Sequence, residues 1–281
     1  MRFARMPLPF VKMSGTGNDF ILIDHRKPVL AREVMPEFAR LVCRRRFSVG
    51  ADGLIFIENS DQADFKWLFY NADGSEAEMC GNGARCAARF AYMKGIAPAH
   101  MRFETIAGII EANVADVNVS VLMTPPKDFR QDLELECDSG VVLLHTVDTG
   151  VPHAVVLVDN YEKIDVCRLG SYIRHHRQFR PAGINVNFVM PLENGAFKVR
   201  TFERGVENET MACGTGAVAS ALVAAVKGQA ESPVEIVTSG GDRLSIIFDL
   251  HEGPAATNVF LKGPAHVIYS GELNSEALLD K

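Results

Sequence analysis

No stretch of the 281-residue sequence is apolar for long enough to cross a bilayer: the longest run of small and apolar residues, Ala217 to Val226, falls far short of the roughly 18 residues required. A membrane partner is therefore not expected. No segment concentrates lysine or arginine enough to track a phosphate backbone, and 29 basic against 35 acidic residues leave a formal charge of −6, so nucleic acid is not an expected partner. The opening MRFARMPLPF carries two arginines but neither the continuous apolar core nor the small-residue cleavage site of a secretory leader. The expected compartment is the cytoplasm, and these residues receive no function. Cysteine is scarce too: six in the chain, with no C-x-x-C spacing, which excludes a disulfide scaffold and the usual zinc or redox pair.

An ordinary globular composition remains, 47% apolar and 23% charged, with length for two domains at about 150 residues each. The two segments richest in glycine and cysteine are related to each other. FYNADGSEAEMCGNGARCAARF begins at Phe69 and TFERGVENETMACGTGAVASALV at Thr201. An offset of 133 residues lays Cys80 on Cys213, Phe69 on Phe202, Gly81 on Gly214, Gly83 on Gly216 and Ala84 on Ala217. With that offset held fixed, Thr16-Gly17 falls on Thr149-Gly150, Gly50 on Gly183, and Thr105 with Gly108 on Thr238 with Gly241. Four separated segments in phase, at so long a period, predict two copies of a domain rather than a solenoid.

Each copy reads as mixed α and β. Strand signals rich in β-branched and aromatic residues lie at 20–24, 54–58, 117–123, 155–158, 187–190, 244–248 and 259–262. Helix signals lie at 33–45 and directly after each Cys-Gly-x-Gly. Alanines at 84, 87, 88 and 91, and at 217, 219, 221, 224 and 225, make two slim helices, each suited to the middle of its domain inside a curved sheet.

Cys80 and Cys213 thus stand at the mouths of helices, where unpaired amides and the macrodipole favour a thiolate and also accept a carboxylate. Two such turns, related by a pseudo-twofold axis, would offer a substrate in the cleft between the domains one sulfur on each face. Inversion of a carbon centre by proton transfer needs that pairing of base and acid. Cys43, Cys86, Cys137 and Cys167 lack this setting and read as small core hydrophobes. A metal site is not expected, because the cysteines lack ligand spacing and only His153 of eight histidines sits in a glycine-flanked motif. The stretch Gly214 to Ala219 also matches G-x-G-x-x-A, but the polar ERGVENET precedes it where a dinucleotide fold needs an apolar strand.

Across nearly the whole chain the sequence resembles the diaminopimelate epimerase family. The resemblance rests on KMSGTGNDF from Lys12, GADG from Gly50, YNADGS from Tyr70, MCGNGAR from Met79, GVPH from Gly150, INVNFV from Ile184, ERG from Glu203 and ACGTG from Ala212. It implies an α/β fold of two pseudo-symmetric domains, each a curved, barrel-like mixed sheet around a central helix. These would be residues 1–124, with 268–281 returning to them, and 125–267. It further implies interconversion of LL- and meso-diaminopimelate in lysine and peptidoglycan precursor synthesis, with Cys80 and Cys213 as base and acid and with no pyridoxal phosphate, metal or other cofactor. Asn18, Asn71, Gly81, Asn82, Asn185, Glu203, Arg204, Gly214 and Thr215 would contact substrate, and His153 and Glu203 would adjust cysteine ionisation. Arg204 suits a distal carboxylate, and Glu203 a distal ammonium. A homodimer is expected from the family.

One residue departs from the pattern. Many members have Asn-Pro-His where this chain has Val151-Pro152-His153, so the position opposite Asn18 has lost its amide. A racemase for another amino acid, a non-catalytic amino-acid-binding protein and a thiol redox sensor are the alternatives that the sequence leaves open.

Overall fold

The runs FILI from Phe20, LIFI from Leu54 and WLFY from Trp67 show no polar alternation, the pattern of strands covered on both faces. The computed structural model describes residues 6–137 and 140–279. The chain divides into two compact units, Met1–Val121 with Gly263–Lys281, and Leu122–Lys262.

The first unit runs β1 (Leu8–Gly15), β2 (Asn18–Asp24), α1 (Met35–Val42), β3 (Gly53–Glu58), β4 (Phe65–Asn71), α2 (Gly81–Met93), β5 (His100–Thr105), β6 (Gly108–Ala115) and β7 (Asn118–Leu122). β2 pairs parallel with β3, and β4 with β5, so α1 and α2 supply the crossovers that parallel neighbours require. The remaining pairs are antiparallel. Side chains alternate between two cores. Phe20, Leu22, Ile55, Ile57, Trp67 and Phe69 pack with the alanines of α2, whereas Ile21, Ile23, Leu54, Phe56, Leu68 and Tyr70 pack with α1. Burying each large apolar side chain contributes about 1.5–3 kcal/mol, so the sheet supplies most of the hydrophobic stabilisation and α2 supplies a thin axis. Every residue of α2 from Asn82 to Ala88 is buried, as enclosure demands.

The second unit repeats the plan with β8 (Lys127–Cys137), β9 (Gly140–Asp148), β10 (Pro152–Leu157), α3 (Val166–His175), β11 (Asn185–Pro191), β12 (Phe197–Glu203), β13 (Asn208–Thr210), α4 (Gly214–Val226), β14 (Val234–Val237), β15 (Arg243–Leu250) and β16 (Ala256–Pro264). β10 pairs parallel with β11, and β12 with β14. α4 is buried without a break from Gly216 to Ala225. The last strand, β17 (His266–Leu273), pairs antiparallel with β1. Each unit is therefore a mixed sheet curved around one central helix, as expected.

Two details differ from the sequence reading. The helix expected at 33–45 is a 3-10 turn, Arg32–Val34, followed by α1, and it stops at Val42. Arg45 is drawn instead to Asp19 and Asp52, at 2.6 and 2.8 Å.

The second difference concerns the repeat. In the first unit Phe20 pairs with Gly53, and Gly53 with Asn71; in the second His153 pairs with Asn185, and Val186 with Phe202. The separation is 133 for Phe20 to His153 but 132 for Gly53 to Asn185. Phe69 thus matches Thr201 rather than Phe202, and Tyr70 matches Phe202. Burial agrees, because Phe69 faces α2 while Phe202 faces the α3 side of its sheet. One residue is lost before β11 and regained before Cys213. Asn71 then matches Glu203, and Gly53 matches Asn185.

Candidate functional site

Two half-sites stand at the helix mouths, one in each unit. Cys80 is the N-cap of α2, in extended conformation at φ −148°, and its Sγ accepts the Gly83 amide at 3.5 Å. Cys213 is the N-cap of α4 at φ −127°, with no such side-chain cap; its Sγ lies 3.5 Å from Thr215 Oγ1. Both thiols are half-buried. Cys43 and Cys86 are buried, and burial pushes each thiol up to about 12, as befits inert core residues. Cys137 is half-buried and Cys167 exposed, so neither is the core thiol that the sequence suggested.

Around Cys80, amide orientations are fixed from behind. Asn82 Oδ1 accepts from Thr16 Oγ1 at 2.9 Å and Arg85 Nη2 at 2.8 Å, so its Nδ2 donates to Asn18 Oδ1 at 2.7 Å. Asn18 Nδ2 in turn donates to Asp52 Oδ2 at 3.0 Å. Asp52 bonds Arg45, which also holds Asp19. Burial pushes the Asp19 carboxyl up, but hydrogen bonds from Arg45 and Lys12 outweigh it and hold the group below its ordinary range. Gly81 opens the helix between Cys80 and Asn82. Asn71 ends β4, and its Nδ2 donates to Ser75 Oγ at 3.0 Å within the loop that leads to Cys80.

Around Cys213 the partners are different. The Thr215 carbonyl accepts Thr149 Oγ1 at 2.9 Å, and its hydroxyl meets His153 Nε2 at 2.9 Å. His153 is fully buried, and burial, with the charge of Arg204 adding, pushes its imidazole down to about 3. His153 is therefore neutral and meets its neighbours through hydrogen bonds. Asn185 Oδ1 accepts the Arg204 amide at 2.8 Å, tying two of the expected substrate residues together. The Arg204 guanidinium reaches the carbonyls of Ala182 and Gly183 at 3.4 and 3.5 Å. Burial raises the Glu203 carboxyl above its ordinary range. Gly214 opens α4, and Val151 is half-buried beside Pro152.

The sequence reading thus found the residues at the two helix mouths and missed those behind them. Arg85, Thr16 and Asp52 fix Asn82 and Asn18; Asn187 bonds His153. The signals were Arg85, a charge among the small residues of GNGARCAA, and Asn187, the second amide of the otherwise apolar INVNFV.

In chemical terms, each half-site joins a thiol to a helix N-terminus, a setting for proton transfer beside an anionic group. The fold is shared with solved structures, a probable racemase among them. A PhzF-family phenazine biosynthesis protein from Bacillus anthracis superposes with a TM-score of 0.73 at 16% identity, covering 96% of this chain and 100% of that one. A probable proline racemase from Agrobacterium radiobacter K84 gives 0.68 at 14% identity, covering 95% and 93%. Sequence comparison narrows the class. The family model described as diaminopimelate epimerase matches residues 10–128 and 145–268. The diaminopimelate epimerase of Aquifex aeolicus (strain VF5) is 48% identical, covering 96% of this chain and 99% of the relative, and that of Hydrogenobaculum sp. (strain Y04AAS1) is 46% identical, covering 94% and 98%. The chain belongs to the diaminopimelate epimerase family, and with it to the isomerases.

Proposed function

We propose that the protein interconverts LL- and meso-2,6-diaminopimelate without a cofactor, one cysteine of the pair Cys80 and Cys213 taking the α-proton and the other returning one. The observation that carries this reading is the matched placement of the two thiols, each the N-cap of the buried central helix of its own copy of the fold. In the proposed step a thiolate forms an S–H bond as the Cα–H bond breaks. The electron pair stays on the α-carbon, and the opposite thiol delivers its proton to the other face. The roles exchange in the reverse direction.

The helix-mouth amides of Gly81-Asn82 and Gly214-Thr215 are suited to the α-carboxylate. Arg204 provides a fork for the distal carboxylate, and Glu203 with Asn18, Asn71 and Asn185 provides oxygens for the ammonium groups. We place this activity in the cytoplasm, in lysine and peptidoglycan precursor synthesis, and expect a homodimer.

Incubation with LL-diaminopimelate in deuterated water should give meso product with deuterium at the inverted α-carbon. Cys80→Ala and Cys213→Ala should each abolish net epimerisation, and full activity in either variant would sink the two-thiol mechanism. Val151, in place of the family's frequent asparagine, favours one second reading, racemisation of another amino acid. Comparison of substrates in the same exchange assay separates the two.

A further inference from the structure

The positions matched by the corrected register give the two thiols different surroundings. Phe20, Ile55 and Phe69 of the first unit correspond to His153, Asn187 and Thr201 of the second. Where the first unit has three apolar side chains, the second has a buried chain of hydrogen bonds. Thr201 Oγ1 lies 2.9 Å from Asn187 Oδ1; Asn187 Nδ2 lies 3.0 Å from the Ala154 carbonyl and 3.0 Å from His153 Nδ1; His153 Nε2 lies 2.9 Å from Thr215 Oγ1, itself 3.5 Å from Cys213 Sγ.

The direction of this chain follows by elimination. A backbone carbonyl only accepts, so the Asn187 nitrogen must face Ala154 and carry its second hydrogen to His153 Nδ1. Nδ1 is then an acceptor, and the neutral ring bears its proton on Nε2. Nε2–H donates to the Thr215 oxygen, which leaves the hydroxyl hydrogen to point at Cys213. His153 Nε2 is consequently no base for the Cys213 proton.

Two further features fit the arrangement. A Cβ on Gly216 would lie 2.3 Å from Asn187 Oδ1, so glycine at this point of α4 leaves room for the amide, whereas a Cβ on Gly83 would meet Ile55 at an ordinary 3.4 Å. Thr215 corresponds to Asn82, whose side chain is engaged by Asn18. Val151, opposite Asn18, offers Thr215 no such bond, and the hydroxyl turns to His153.

We propose that Asn187 is a positioning residue for Cys213: it sets the proton of His153 on Nε2, which makes Thr215 a hydrogen-bond donor to the Cys213 sulfur and favours the thiolate there. The inference deepens the proposed function, since it rests on Cys213 as a proton-transfer group.

Alkylation by iodoacetamide, mapped by peptide mass spectrometry on the full chain, tests it. In a Cys80→Ala background, Asn187→Leu and Thr215→Val should each slow Cys213 alkylation about tenfold at a pH below its midpoint, the loss of one hydrogen bond to a charged group. Thr215→Ser, which keeps the hydroxyl, should stay within about twofold of the parent. In a Cys213→Ala background the same substitutions should leave Cys80 alkylation unchanged. Nitrogen-15 NMR should show His153, identified by the resonance missing in His153→Gln, as the Nε2–H tautomer. An Nδ1–H tautomer, an unchanged Cys213 rate in Thr215→Val, or an equal fall at Cys80 would each overturn the proposal. Thr215→Val decides the matter should Asn187→Leu not fold. Retained net epimerisation in Cys213→Ala would instead count against the proposed function, leaving the hydrogen-bond result to stand separately.

Discussion

Residues that hold a functional group from behind are harder to read from sequence than those that present it. Cys80, Asn82 and Asn18 were legible because they lie in glycine turns whose chemistry is local. Arg85 was not, since its partners Thr16 and Pro264 are remote in sequence. Its guanidinium is fully buried, yet it reaches Thr16 Oγ1 at 2.6 Å, Asn82 Oδ1 at 2.8 Å, and the carbonyls of Gly81 and Pro264 at 3.4 Å each. Such a cation is tolerated only because these acceptors replace water. Arg85→Met removes the donors and strands the acceptors. Hydrogen bonds to a charged group are worth about 1.5–3 kcal/mol each, and the apolar replacement recovers part of the loss, so the variant should lose about 2–4 kcal/mol in urea unfolding. Arg85→Lys should recover less than half, because one ammonium cannot span the same set. KM for diaminopimelate should rise in both variants as Asn82 and Asn18 lose their fixed orientation. Wild-type stability and KM in Arg85→Met would refute that role.

The element scale shows what hydrophobic patterning conveys and what it does not. Continuous runs at Phe20 and Leu54 marked strands correctly and the alanine runs marked enclosed helices, whereas the strand at Trp67 was not among those expected. The one-residue slip between the copies was invisible, because Phe69 and Phe202 are both aromatic and only the strand face distinguishes them. Polar, weakly patterned strands such as β8 and β17 were missed for a related reason: their burial is low, so their sequences carry little alternation. The helix mouths provide a test in which one substitution has opposite signs at equivalent places. Gly83→Ala puts a methyl at ordinary distance from Ile55, Cys80 and Phe20, and replacing glycine by alanine in a helix gains about 0.5–1 kcal/mol. Gly216→Ala drives a methyl into the Asn187 oxygen and breaks its bond to Thr201, for a net loss of about 1–3 kcal/mol. Calorimetric melting should therefore move up or stay level for Gly83→Ala and fall for Gly216→Ala. Equal shifts in both would mean that the two mouths are packed alike.

At the scale of the whole molecule, the two copies share a backbone plan, but the second has a titratable side chain near its helix mouth where the first has an apolar one. His153 occupies the position of Phe20, and burial holds its imidazole at about 3. The unfolded chain binds a proton there near pH 6.5. Because the folded pKa lies below the unfolded one, this contribution to stability is complete above about pH 6.5 and drains away as pH falls toward 3. Burial lowers His145 of the same unit as well, and it acts in the same direction. In the first unit, Asp19 also has a depressed pKa, but its stabilisation is present above about 3.9 and is lost only below that. Between pH 8 and 5 the second unit should thus lose about 2 kcal/mol that the first keeps. Native-state hydrogen exchange, corrected for intrinsic rates, should show protection falling about 30-fold in β10, β11 and α4 relative to β2, β3 and α2 over that interval. A parallel decline in both units would mean that His153 accepts its proton in the folded protein, at odds with its burial and with an Nδ1 already engaged by Asn187.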